Sequence, residues 1–125
     1  MKLFGLCLIM VLLSGCVATF NQMEYQGYVK ILTLTEPGEF ECRPYHLGIL
    51  LEETTYLMHY TSHLPHNKYS ADGAKQLHSI AFYMNENFET YKTRHLSESA
   101  CIQLHDLMHT TAEMFAESVG GKPTW

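Results

Sequence analysis

The chain has 125 residues, 46% of them hydrophobic and 17% charged, with a formal net charge of −5. That length is one domain's worth and can bury a modest core of its own. An acidic balance with no basic stripe excludes nucleic acid, whose phosphates demand Lys and Arg clusters, and excludes electrostatic docking on anionic lipid headgroups.

The chain opens with Lys2 and an apolar run of about eleven residues, Leu3 to Leu13. A positive start followed by an apolar stretch of this size is the pattern of a secretory signal. It is too short to span a bilayer, which takes roughly twenty residues. A first helix of the domain itself is the competing reading, but a helix apolar on every side would need burial all round. The run closes on Leu13-Ser14-Gly15-Cys16, within the stretch VLLSGC.

Those four residues, at that position, resemble the lipobox of bacterial lipoproteins. The resemblance covers only the first sixteen residues. It implies diacylation of the Cys16 thiol and cleavage just before it. Residues 1–15 would then be a signal peptide, 16–21 the lipidated cysteine and a short tether, 22–121 the helical domain and 122–125 a tail. Position 17 is Val, not the Asp that retains such lipoproteins at the inner membrane. The implied location is the outer membrane, periplasmic face, with the inner membrane as the alternative. Two or three acyl chains suffice for stable residence on a bilayer. Cleavage would leave seven basic against thirteen acidic residues, a net charge of about −6, so the lipid alone must do the anchoring.

Of the four cysteines, Cys7 would leave with the signal and Cys16 would carry lipid. Cys42 and Cys101 remain, and in an oxidising compartment they are expected to pair. Metal thiolates or a redox pair are the alternatives, but neither cysteine sits in a C-x-x-C.

Residues 22 to 35, QMEYQGYVKILTLT, fit two patterns. Tyr25, Tyr28, Val29 and Leu32 make a helical face, whereas Val29, Ile31, Thr33 and Thr35 make a strand face. A single strand would lack a partner in a chain this helical, so helix is chosen. Glu36-Pro37-Gly38 is a turn either way.

From Pro44 to His63 the positions Leu47, Leu50, Leu51, Thr54, Leu57, Met58 and Thr61 recur at helical spacing, with Pro44 suited to the first turn. The stretch LPHN, Leu64 to Asn67, ends this helix. The next should start near Ser70, with Ser70 or Asp72 as N-cap, and run to about Arg94. Its stripe reads Ala74, Leu77, Ala81, Met84, Phe88 and Tyr91, widened by Ile80. The last starts after Ser97 with the stripe Cys101, Leu104, Met108, Thr111, Phe115 and Val119, and stops at Gly120-Gly121 and Pro123. The expected fold is therefore all-α. It is a small three- or four-helix antiparallel bundle with one disulfide, following a cleaved lipoprotein signal.

Histidine is frequent, with eight in the chain. His59 with His63, and His105 with His109, have the spacing H-x-x-x-H, which projects two imidazoles from one helix face. Brought together, with Glu113 a turn beyond His109, the four would make a zinc or copper site. The competing reading is solvated or rim histidines. His59 and His63 lie opposite the apolar stripe of their helix, near Glu52, Tyr56 and His66, while His105 and His109 sit at a stripe edge.

The acids Glu98, Asp106, Glu113 and Glu117, with Glu52-Glu53, Glu86 and Glu89, read as solvated helix faces rather than acid–base pairs. No H-E-x-x-H, G-x-S-x-G, phosphate loop or C-x-x-C-H occurs, so no enzyme class and no resident cofactor is indicated. Eight tyrosines are too many for the core, and exposed tyrosine suits interfaces because its ring offers area at low entropic cost. The expected role is a protein–protein interaction module of accessory, inhibitor or immunity type. Its partner would be an envelope protein docking on Tyr45, Glu52, Tyr56, His59 and His63. Periplasmic zinc or copper binding is the alternative, and an enzyme acting on peptidoglycan or lipid comes third.

Overall fold

Asn21 begins the first helix. Its backbone is extended, and its Oδ1 accepts from the Glu24 N–H at 3.0 Å, satisfying one donor that a helix start leaves open. Helix α1 then runs Gln22–Leu34 in a computed structural model that describes residues 19–37, 42–88 and 96–122. The proposed signal, Cys16 and residues 123–125 lie outside the described residues.

The segment that also fits a strand is thus helical. Its buried residues Glu24, Tyr28, Ile31 and Thr35 recur at steps of four and three. The Thr33 and Thr35 hydroxyls donate back to the Val29 and Ile31 carbonyls, which lets a β-branched residue sit in a helix. The buried face differs from the expected one. Val29 is exposed and Tyr25 and Leu32 are half-buried, because Glu24 and Ile31 take the inner positions.

Helix α2, Pro44–Ser62, follows the expected pattern. Pro44 lies in its first turn, and Leu47, Leu50, Thr54, Leu57 and Thr61 are buried. The connection to the next helix passes through His66, whose φ of 52° is left-handed.

Helix α3, Lys68–Phe88, starts two residues before Ser70. Neither Ser70 nor Asp72 caps it. Ser70 is turned inward to the Tyr28 hydroxyl, and Asp72 pairs with Lys68 on the surface at 3.0 Å. Ala74, Leu77, Ala81 and Met84 are buried as expected. The expected run to Tyr91 and Arg94 lies outside the described residues.

Helix α4 spans Glu98–Gly120, with Ser97 Oγ accepting from the Ala100 N–H. Its inner face is turned from the expected stripe. His105 and Ala112 are buried, while Leu104 and Thr111 are half-buried. Cys101, Met108, Phe115 and Val119 are buried as expected. Gly121 ends the helix at φ −87°, without a left-handed turn.

The four helices form an antiparallel ring in which each packs on its chain neighbours and α4 closes back on α1. The Tyr60 hydroxyl at the end of α2 donates to Asn21 at the start of α1. Lys122 after α4 reaches Glu24 near that same start. Cys42 and Cys101 form a disulfide across a Cα separation of 6.3 Å, so the starts of α2 and α4 meet at the opposite end. No strand occurs among the described residues, and no helix there is long and apolar enough to cross a membrane.

The α3–α4 contact depends on Gly73. A Cβ there would overlap the Phe115 ring, which stacks on Tyr28 with centroids 5.9 Å apart. The ring is held between Tyr28 and Tyr69, so it has little room to yield. Gly73→Ala is expected to destabilise the fold by about 1–3 kcal/mol through overpacking, measured as a lower urea midpoint. An unchanged midpoint would mean that the ring swings aside freely.

Candidate interaction surface

The five residues expected to meet a partner share one face of α2. Spacings of seven, four, three and four place Tyr45, Glu52, Tyr56, His59 and His63 opposite the buried Leu47, Leu50, Thr54, Leu57 and Thr61. All five are exposed. Tyr45 is 82% and Tyr56 55% accessible, high values for large rings. Tyr56 stacks on Tyr60 with centroids 6.1 Å apart, and Tyr60 is tied to Asn21, so part of the surface is already ordered. At the lower end, His63 Nδ1 lies 2.6 Å from the His59 carbonyl. An ordered ring pair loses little entropy on binding, which favours association. Beside this face, Lys30 of α1 pairs with Glu53 at 2.9 Å.

The two histidine pairs do not converge. His59 and His63 lie on the outside of α2, while His105 and His109 lie on α4, which stands diagonally across the bundle. No group of three or more metal-ligating side chains occurs among the described residues.

His105 is not at a stripe edge. It is 2% exposed, within the core. Its neighbour His109 is half-buried, with Nδ1 3.0 Å from the Thr35 hydroxyl and Nε2 4.0 Å from Glu113. Burial pushes the His105 imidazole down to about 4, and nearby His46 adds to this, while Asp106 and the Leu34 carbonyl oppose it. The folded state therefore holds His105 neutral at pH values where the unfolded chain takes up a proton. Stability contributed by His105 is full above about pH 6.5 and is lost as pH falls toward 4, by roughly 3 kcal/mol in all. His105→Leu should flatten this part of the stability–pH curve. A wild-type curve as flat as that of the variant would contradict the assignment.

Sequence reasoning missed the most buried charge. Glu24 is fully buried, with Lys122 Nζ 2.6 Å from Oε1. Asn67 Nδ2 donates to the other carboxylate oxygen, and Lys122 also donates to Asn67 Oδ1 at 2.5 Å. The network ties α1, the α2–α3 connection and the end of α4 together. Asn21-x-x-Glu24 was a visible helix-start pattern, but nothing local marks Lys122 as the partner. This carboxylate is neutralised and enclosed, so it is placed for structure rather than proton transfer. Tyr28 is equally buried. Its hydroxyl donates to the Ser70 carbonyl at 2.6 Å, and burial raises it far above the ordinary tyrosine range.

Compared with family models, curated proteins and solved structures, the chain matches none.

Proposed function

We propose that this chain is a lipid-anchored envelope protein that works by binding another protein, with no reaction of its own. The anchor is the acylated Cys16 implied by Leu13-Ser14-Gly15-Cys16. It holds the domain at the outer membrane, facing the periplasm, and the binding face is the outside of α2. One observation carries the reading: Tyr45 and Tyr56 stand 82% and 55% accessible in line with Glu52, His59 and His63. Large exposed rings in a row with a carboxylate are the composition of a hot-spot patch, where aromatic anchors supply area and charge sets register.

A photo-crosslinking amino acid at Tyr56 tests it in living cells. The expected result is one defined envelope adduct, lost when Tyr45→Ala or Glu52→Lys is added, and absent when the probe sits at Thr110 on α4. No adduct at Tyr56, or the same adducts at both positions, would contradict the α2 face as the binding surface.

A further inference from the structure

The acidic charge of this domain is unevenly distributed along the bundle. At the end where α1 begins, the tip is formed by Asn21 and by Leu64, Pro65 and His66 of the α2–α3 connection, none of them acidic. Two carboxylates near this tip are compensated: Glu24 is buried against Lys122, and Asp72 pairs with Lys68. Glu117, almost one turn in from the end of α4, is exposed. The exposed Glu36, Glu86 and Glu98 all lie toward the opposite end, with the disulfide.

Thr19, Asn21, Leu64, Pro65 and Asn67 line one shallow cavity of about 140 Å³, which places Thr19 at the uncharged tip. Only two residues, Val17 and Ala18, lie between Cys16 and Thr19, and the three Cα–Cα steps reach at most about 11 Å when fully extended.

We infer that the tip formed by Asn21, Leu64, Pro65 and His66 rests on the lipid surface, with the bundle standing away from it. The inference rests on acylation of Cys16. The short tether keeps this end near the headgroups. With no carboxylate among the four tip residues, Asp72 paired with Lys68 and Glu117 almost a turn away, it meets less repulsion there than the end that carries Glu36, Glu86 and Glu98 would. Leu64 and Pro65 offer apolar surface to the interface. The α2 face then climbs from His63 near the lipid to Tyr45 about 27 Å further out, at 1.5 Å per residue. A partner must therefore present its complementary surface over that height above the same membrane.

The test uses the full lipidated chain in vesicles of phosphatidylethanolamine and phosphatidylglycerol, doped with a lipid carrying a nitroxide on its headgroup. An environment-sensitive fluorescent amino acid is placed at Pro65, at Ser62 as a second probe outside the turn, or at Tyr45. The expected result is strong loss of emission at Pro65 and Ser62, with emission at Tyr45 retained. Chain that floats with the vesicles but is quenched equally at all three sites, or most at Tyr45, overturns the orientation while leaving the anchor standing. Chain that fails to float overturns both.

Discussion

Lys122→Ala is expected to destabilise the fold by about 3–5 kcal/mol, a large effect for a residue beyond the last helix. Glu24 is fully buried, and its desolvation is offset by the Lys122 ammonium and the Asn67 amide. Removing the ammonium leaves a carboxylate in the interior with only a neutral donor, so the remaining charge bears the cost. The lost amine also strips Asn67 Oδ1 of a donor. Equilibrium urea unfolding reads this directly, as a lower midpoint at unchanged slope. The double variant Glu24→Leu/Lys122→Met should recover part of the loss, because apolar replacements of a buried pair are often neutral. A Lys122→Ala midpoint within about 0.5 kcal/mol of wild type would show that this ion pair does not hold the end of α4.

Reduction of the Cys42–Cys101 disulfide is expected to cost about 4 kcal/mol. The bridge closes a loop with a sequence separation of 59, and in the chain-entropy model that constraint on the unfolded state sets the figure. The folded state has its own stake, since α2 and α4 are diagonal partners and the bridge is their direct tie at that end. Cys42→Ala/Cys101→Ala should lower the urea midpoint, and the wild type should fall to nearly the same midpoint under reductant. Cys101 is fully buried, so alanine is the cleaner test than serine, whose hydroxyl would need a partner there. A double variant as stable as the oxidised wild type would mean that the unfolded chain is already compact where the bridge closes.

The outward face of α2 was legible from sequence because every signal there is local. Pro44 marks the start, the apolar residues repeat at three and four, and the tyrosines and histidines fall on the other side. The disulfide was legible by counting cysteines. The turned faces of α1 and α4 were not, and the reason is common to both: a polar residue occupies an inner position. Nothing local in the sequence marks Glu24 as buried, and His105 reads as a stripe-edge residue, until their partners are known. The partner of Glu24 is 98 positions away, and the surroundings of His105 come from α1 and α2 as well as α4. Ser70 reads as an N-cap for the same reason, since its real task is to meet the Tyr28 hydroxyl across the core. Pairing over such distances leaves no periodicity to read.

The proposed function turns on Cys16, because acylation there would set the compartment, its oxidising character and the end of the bundle that faces lipid. Mass spectrometry of the chain extracted from cell envelopes tests it most directly. The expected N-terminal peptide begins at Cys16 and carries the added mass of a diacylglyceryl group, with or without a third acyl chain. An N-terminal peptide that begins at Met1 with an unmodified Cys16 thiol would contradict the anchored account.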